Sequence, residues 1–191
     1  MGSQRTKMDG MQSLLKAARE AGKGLPPVDR WHPEYCGEMD MVIRRDGSWW
    51  HEGTRIGREA LVRLFARILR KDEDGETYLV TPAEKIRIKV EAGHFLAVRV
   101  DALGEGREQK LVFTTDHDER VLAGREHPLR VEFGADGEPE PYVHVRGRLE
   151  ALLTRPVYYE LANLAVEGTD ANGRKALGVW SDGVFVPLDQ G

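Results

Sequence analysis

The chain has 191 residues, 40% hydrophobic and 31% charged, which suffices to bury a core in one large domain or two small ones. Its net charge of -4 lacks the basic excess that duplex nucleic acid requires, and no polybasic or long apolar segment indicates a membrane. Its one cysteine, Cys36, excludes an internal disulfide, and no apolar signal segment follows Met1, so we expect a cytoplasmic protein.

The first predicted element is a short helix over Asp9–Ala21. Four apolar residues at helical spacing form its stripe: Met11, Leu14, Leu15 and Ala18. Asp9 is a candidate N-cap, and Gly22 and Gly24 end the helix. Two interpretations stay open. The helix is either a clasp on the main body or a surface that binds a partner or a second copy of the chain.

Residues 39–52 predict a β-hairpin. Apolar side chains at alternate positions indicate a strand with one buried face: Met39, Met41 and Ile43. Asp46-Gly47 is typical of a type I′ turn, whose two central residues need positive φ. In the return strand, Ser48–Glu52, Trp49 and Trp50 point to opposite faces. We therefore expect one ring in the core and the other half-exposed or lining a pocket.

The clearest predicted helix runs from Arg58 to Leu69. Its apolar residues form a broad face: Leu61, Leu64, Phe65, Ile68 and Leu69. Arg58 and Arg63 lie on the flanks of that face. They belong either to a solvated or salt-bridged surface or to a cleft, where a guanidinium could fork onto a carboxylate or phosphate.

Short strands and turns dominate the rest of the chain and predict an antiparallel meander. Pro82 restricts Thr81 to extended backbone, so Thr81–Lys85 is a corner rather than a continuous strand. The predicted strands are residues 77–80, 86–90, 95–100, 110–114, 121–122, 129–133 and 142–145. Residues 149–154 predict a helix, Pro156 opens another that continues to 166, and residues 175–180 and 184–188 predict a closing hairpin.

Two segments share one order of elements. Asp46-Gly47 and Asp136-Gly137 each precede a strand and then a predicted helix, at Gly57–Val62 and Gly147–Leu152. This order predicts an α+β fold with a duplicated hairpin–helix motif and two similar halves, whose interface would be a common place for a ligand cleft. We expect an N-terminal helix and linker (1–24), an α+β domain (25–84) and an antiparallel β domain with a helix (85–191).

Motifs for most reaction types are missing. The sequence has no phosphate-binding loop or dinucleotide fingerprint, its six histidines are scattered without metal-ligand spacing, and no two carboxylates are paired as acid and base. Cys36 lies in no catalytic context. The sequence therefore names no catalytic residue, no metal ligand and no cofactor.

The remaining functional signal is the polar corner and its surroundings. The candidate ligand-binding residues are Trp50, Arg58, Arg63, Thr81, Glu84, Lys85 and Trp180. Cationic groups beside tryptophan rings suit an anionic, partly planar ligand such as a nucleotide. The structural alternative is that Glu84 pairs with an arginine and Thr81 caps a backbone turn.

Several motifs keep their order and spacing over residues 24–188. They are Asp46-Gly47-Ser48-Trp49, Ile56-Gly57-Arg58, Tyr78-Leu79-Val80-Thr81-Pro82-Ala83-Glu84-Lys85 and Gly178-Val179-Trp180-Ser181. They resemble a family of uncharacterised proteobacterial proteins, classed as a domain of unknown function. The resemblance implies a duplicated core motif and a C-terminal domain similar to pleckstrin-homology barrels. It also implies a role in signalling, with a nucleotide-type ligand at the domain interface, and it names no catalytic residues.

Three functional hypotheses follow. The first is a cytoplasmic ligand-sensing module that holds an anionic small molecule between its halves. The second is an interaction scaffold without a small ligand, which docks onto a protein partner or a second copy through Leu14 and Leu15 or through a strand edge. The third, less favoured, is a carboxylate-dependent hydrolase or transferase.

Overall fold

The structure is a computed structural model that describes residues 2–20, 22 and 24–189, with side chains from residue 11 onward. The described residues form three α-helices and fifteen strands in three sheets, and most neighbouring strands are antiparallel. The fold is therefore α+β, as predicted. No described helix is long and apolar enough to cross a membrane.

The chain divides into two compact units. The first ends at Ala92 and also takes in Gly147–Leu149, while the second contains Gly93–Arg146 and the chain from Glu150 onward.

The first unit is a six-stranded sheet with two helices. Its helices are α1 (Gly2–Glu20) and α2 (Glu59–Arg67). Its strands are β1 (Tyr35–Ile43), β2 (Trp49–His51), β3 (Thr54–Arg55), β4 (Leu69–Lys71), β5 (Thr77–Val80) and β6 (Lys85–Val90). The sheet order is β3-β2-β1-β6-β5-β4, in which β1 and β6 are parallel. Strand β6 begins at Lys85, the first residue of the second domain expected from the sequence. In the structure this strand pairs with β1 and β5 of the first unit.

The two tryptophans of β2 separate as predicted. Trp49 is buried and stacks on Phe65 of α2, with ring centroids 6.2 Å apart. Trp50 is half-buried on the opposite face of the sheet. Helix α2 thus covers an inner face that also contains Met41 and Ile43, and Trp50 marks the outer face.

Helix α1 packs onto its own unit. It begins at Gly2, so the prediction that Asp9 caps its first turn is wrong. Residues 3–8 include good helix formers and no proline, and nothing in that stretch stops the helix. Leu14 and Ala18 are fully buried, and the Arg67 guanidinium of α2 donates to the carbonyl of Gly22 at 2.6 Å. This is the clasp arrangement, and it withdraws Leu14 from any partner.

The second unit contains nine described strands and one helix, α3 (Arg155–Asn163). Its larger sheet, in the order β10-β11-β12-β7-β8-β9, contains β7 (Phe95–Leu103), β8 (Lys110–Thr115), β9 (Arg120–Leu122), β10 (Leu129–Phe133), β11 (Pro139–Arg146) and β12 (Leu149–Leu153). Its smaller sheet contains β13 (Val166–Thr169), β14 (Lys175–Ser181) and β15 (Val184–Pro187).

The helix predicted over 149–154 is wrong, because these residues form strand β12. It lies between β11 and β7, and it is parallel to β7. The amide of His94 donates to the Glu150 carbonyl at 2.9 Å, and Leu149, Ala151 and Leu153 are buried. Strand pairing and burial on this scale outweigh a helix preference of tenths of a kcal/mol per residue.

The order of elements repeats in the two halves, but the second helix is α3 (Arg155–Asn163) and not Gly147–Leu152 as predicted, since Leu149–Leu152 belongs to strand β12. Each half has three strands, a helix and three more strands, as β1-β2-β3-α2-β4-β5-β6 and as β10-β11-β12-α3-β13-β14-β15. The turns repeat as well. Gly47 donates to Arg44 and Gly137 donates to Gly134, each at 2.9 Å, and each glycine has a φ near 80°.

The Asp46-Gly47 turn differs from the predicted type I′ geometry. In this turn Gly47 has positive φ and Asp46 does not. Residues 45–47 therefore form a three-residue loop that ends in a glycine bulge. The Asp46 carboxylate accepts the Ser48 amide at 2.9 Å, which stabilises a residue before the glycine in ordinary backbone geometry.

Candidate functional site

The corner residue Thr81 has a structural role. Its amide donates to the Glu84 carbonyl at 2.9 Å, and its Oγ1 accepts the amides of Ala83 and Glu84 at 3.3 and 3.1 Å. The side chain is 1% exposed. Thr81 therefore caps the corner, as the structural alternative predicts.

Lys85 is held by a carboxylate. Its Nζ lies 2.9 Å from Asp72 Oδ2 and 4.3 Å from the centroid of the Tyr78 ring. Arg70 Nε donates to the other oxygen of Asp72 at 2.6 Å. Burial opposes ionisation of Asp72, but the hydrogen bonds from Arg70 and Lys85 outweigh it and lower the pKa of the carboxyl.

Two further groups complete this corner. Tyr78 donates to Asp74 at 2.7 Å, and that hydrogen bond, with burial, raises the pKa of Tyr78 to about 12. Glu84 is half-buried, and its Oε1 is enclosed without a hydrogen-bond partner in the described part of the chain. No ion pair joins Glu84 to an arginine among the described residues, so the structural alternative holds for Thr81 alone.

The two predicted arginines belong to helix α2. Arg58 is the exposed residue at its N-terminal boundary, and Arg63 is exposed on its solvent side. Since α2 packs on the inner face of the sheet through Phe65, Arg63 lies on the opposite side of the sheet from Trp50.

The outer face carries a row of cross-strand neighbours around Trp50. Val42 pairs with Lys89 on one side and with Trp50 on the other, and Trp50 pairs with Arg55. Residues directly opposite each other on neighbouring strands share a face. The Arg44 guanidinium stacks over the Trp50 ring, 3.6 Å from its centroid. We call Arg44, Trp50, Arg55 and Lys89 the Trp50 patch.

The β1–β2 turn fixes the Trp50 ring. Its Nε1 donates to Ser48 Oγ at 2.8 Å, and Ser48 Oγ donates to Asp46 Oδ1 at 2.5 Å. The hydrogen bonds from Ser48 lower the pKa of Asp46, and the nearby Arg55 and Arg44 act in the same direction. The ring is therefore oriented by hydrogen bonds within its own hairpin.

The structure separates the corner from the Trp50 patch. Lys85 pairs with Tyr35 at one end of β1, whereas Lys89 pairs with Val42 near the other end. Four residues of strand place these two lysines ~13 Å apart along β6. Thr81, Glu84 and Lys85 thus lie together, and Trp50 lies in a different place on the same sheet.

Trp180 belongs to the second unit. It is half-buried on β14, with the Phe185 ring centroid at 5.3 Å and the Arg107 guanidinium 4.7 Å from its own centroid. Its carbonyl accepts from the Gln109 amide group at 2.9 Å. The ring is a packed element of this unit that keeps one cation on its face.

Sequence reasoning missed three residues of the Trp50 patch: Arg44, Arg55 and Lys89. A hairpin register drawn from the turn would have placed Arg44 and Arg55 beside Trp50. The parallel pairing of β1 with β6 brings in Lys89, and no local pattern indicates it. Among the described residues, no group of three or more His, Cys, Asp or Glu side chains could hold a metal ion.

Family models match both parts of the chain. Residues 26–93 match the N-terminal domain of the domain of unknown function DUF1285, and residues 94–188 match the C-terminal domain of the protein of unknown function DUF1285. The chain belongs to the DUF1285 family. This confirms the resemblance to an uncharacterised family, and the two matched segments meet close to the division between the compact units.

Solved DUF1285 structures show the same fold. A DUF1285 family protein from Silicibacter pomeroyi DSS-3 is 45% identical, with a TM-score of 0.84 over 93% of this chain and 94% of that chain. One from Shewanella baltica OS155 is 26% identical, with a TM-score of 0.50 over 65% of this chain and 91% of that chain. None of the curated proteins matches this sequence.

Proposed function

We propose that this DUF1285 protein is a ligand-sensing module whose first unit binds an anionic, partly planar small molecule, such as a nucleotide, at the Trp50 patch. The observation that carries the proposal is the Arg44 guanidinium stacked 3.6 Å from the Trp50 ring centroid on an outer sheet face. A stacked guanidinium keeps the N–H donors at its edges free for a phosphate or carboxylate.

The charge of the patch supports an anionic ligand. Arg44, Arg55 and Lys89 are all exposed, and in the described part of the chain no ion pair joins any of them to a carboxylate. The neighbouring Asp46 is engaged by Ser48. Three cations around one oriented ring leave an excess of positive charge that a ligand anion would balance.

The dimensions of the patch suit a ligand larger than a lone anion. From Lys89 to Arg55 the row crosses three strand spacings, or ~14 Å. A nucleotide could place its phosphates at Arg44 and Arg55 and stack its base on the exposed face of the guanidinium–indole pair. Lys85, by contrast, already has a carboxylate partner.

Thermal unfolding against nucleotides and other anionic metabolites tests the proposal. A ligand that binds only the folded chain raises the free energy of unfolding by RT ln(1 + [L]/Kd), or ~2.7 kcal/mol at a hundredfold excess over Kd. We expect Arg44→Ala and Trp50→Ala to abolish the shift and Arg55→Ala to reduce it.

Exposed arginines in the same unit provide the matched controls. Arg58→Ala and Arg63→Ala also remove one positive charge each, the first at the N-cap of α2 and the second within the helix. Under the proposal, both keep the shift. A shift lost in these variants but kept in Arg44→Ala would place the ligand at the sequence-predicted arginines. No shift with any ligand would reject the sensing function and favour the scaffold alternative.

A further inference from the structure

In the second unit, His127 and His144 face each other with their Nδ1 atoms. His127 lies just before β10 and His144 lies on β11. Their Nδ1 atoms are 3.3 Å apart, and their ring centroids are 5.3 Å apart with planes inclined by 31°. The strand pairing holds this approach, because the His144 amide donates to the Pro128 carbonyl at 2.9 Å and Leu129 pairs with Val143.

The distance between the two Nδ1 atoms equals the distance expected between two nitrogen ligands of one metal ion. Imidazole nitrogens bind Zn²⁺ at ~2.0–2.1 Å, so two of them at a tetrahedral angle lie ~3.3–3.4 Å apart. The observed 3.3 Å lies within this range and also allows a hydrogen bond between the two nitrogens. His127 Nδ1 also lies at hydrogen-bond distance, 3.2 Å, from the His144 carbonyl oxygen, which can only accept. A metal ion bound at Nδ1 would replace the proton of that contact.

The charges around the pair permit a cation. Arg130 pairs across the sheet with Tyr142, two residues from His144, but its guanidinium is matched by Glu150, with Nη2 2.7 Å from Oε2, and by Glu132. Both histidine rings are half-buried, so an ion can reach them. A metal ion between the facing nitrogens would replace the hydrogen bond between them.

We propose that His127 and His144 form a bidentate site for a late divalent transition metal, of which Zn²⁺ is the first probe and Ni²⁺ and Cu²⁺ share the preference for imidazole. The site supplies two side-chain donors with a carbonyl oxygen nearby, and its other coordination positions go to water or to a small ligand. It is therefore an open site, weaker than a structural zinc site with four protein ligands.

Isothermal titration of the full chain with ZnCl₂ provides the first test. We expect one ion per chain and at least tenfold weaker binding in His127→Gln and in His144→Gln. His32→Gln, which changes an exposed histidine of the first unit, should bind like the wild type. Thermal unfolding in EDTA checks that each variant is folded.

The nitrogen shifts of the imidazoles give a readout on the unaltered protein. In the wild type, Zn²⁺ should shift the Nδ1 resonances of His127 and His144 and leave the Nε2 resonances with their proton. Such a pattern supports the site even if one variant fails to fold. Binding that persists in the double variant, or Nδ1 resonances that do not respond to Zn²⁺, would overturn the proposal.

Discussion

Lys85 and Asp72 form an ion pair of 2.9 Å, which joins the first residue of β6 to the residue after β4. Arg70 binds the same carboxylate and also donates from Nη1 to the carbonyls of Val28 and Trp31, at 2.8 and 2.7 Å. One carboxylate thus organises two cations, and one of those cations anchors the segment that leads into β1. Lys85, one of the candidate ligand-binding residues predicted from the sequence, is thus part of this ion-pair network.

Asp72→Asn should therefore destabilise the protein by about 1–3 kcal/mol, because two partly buried cations lose their charged acceptor. Urea unfolding at pH 7 measures this loss. Since the folded pKa of Asp72 lies below its ordinary value of 3.8, its contribution is present above pH 3.8 and is lost as the pH falls through the folded pKa.

Glu73→Gln is the control for Asp72. Glu73 is the next residue and pairs with Arg148 at 2.9 Å, but its side chain is 87% exposed. Such surface pairs contribute little, so the change should stay within about 0.5 kcal/mol. Equal effects of the two substitutions would mean that Asp72 is no more than a surface charge.

Gly93 lies where two strands approach too closely for a side chain. A Cβ at this position would be 2.6 Å from the Leu152 nitrogen and 2.6 Å from the Phe95 carbonyl oxygen, and both are backbone atoms that cannot rotate away. Gly93→Ala should cost about 1–3 kcal/mol by overpacking. A Cβ on Gly57 would lie in open space, and the φ of this residue is not in the left-handed region, so Gly57→Ala should be neutral or slightly stabilising. Thermal unfolding of both variants measures the difference.

Gly168 and Gly178 allow a comparison between a flexible and a rigid neighbour. A Cβ on Gly178 would meet the Val186 carbonyl oxygen at 2.3 Å, whereas the atoms nearest to one on Gly168 are ring atoms of Phe185, the first at 2.3 Å. Phe185 can rotate but the carbonyl cannot. We expect Gly178→Ala to lower the free energy of unfolding by about 1–3 kcal/mol and Gly168→Ala by clearly less. The reverse order would show that Phe185 is the more tightly held group.

Local sequence patterns predicted correctly which face of a single strand or helix is buried. The opposite orientations of Trp49 and Trp50 follow from the two-residue period of a strand, and the inner face of α2 follows from helical spacing. The glycine-containing turns also followed from sequence, although their type did not, because Asp46 keeps ordinary backbone geometry by hydrogen bonding to Ser48.

Long-range pairing explains what the sequence concealed. Leu149–Leu153 has good helix formers, and only its place between β11 and β7 makes it a strand. Lys89 joins the Trp50 patch through a parallel pairing of segments more than forty residues apart. His127 and His144 lie close together because β10 and β11 pair. A search for metal-ligand spacing along the chain does not find them, because they are far apart in sequence.

Asp116 offers a test of pH dependence. Its Oδ1 accepts the Leu96 amide at 3.0 Å, and its own amide donates to the Leu96 carbonyl at 2.9 Å. Burial raises the pKa of this carboxyl above its ordinary value of 3.8; Glu119 adds to the rise, while His117 opposes it. Asp116 is therefore easier to protonate in the folded state than in the unfolded chain.

The sign of the effect follows from linkage. A carboxyl whose pKa is higher when folded gives a stabilising contribution that is complete below pH 3.8 and is lost as the pH rises through the folded pKa. Asp116→Asn stays neutral at every pH and keeps an oxygen for the Leu96 amide. It should therefore unfold at a higher temperature than the wild type at pH 7, with a difference that shrinks as the pH approaches 4.

Thermal unfolding between pH 4 and pH 7 checks this expectation. Glu126→Gln removes an exposed carboxylate of the same unit and should show no such dependence on pH. If Asp116→Asn were less stable than the wild type at pH 7, the ionised carboxylate would be the better acceptor for Leu96, and the attraction of His117 would outweigh burial. Asp116 would then stabilise the turn at Thr115–Glu119 as an anion, and its contribution would be lost on acidification.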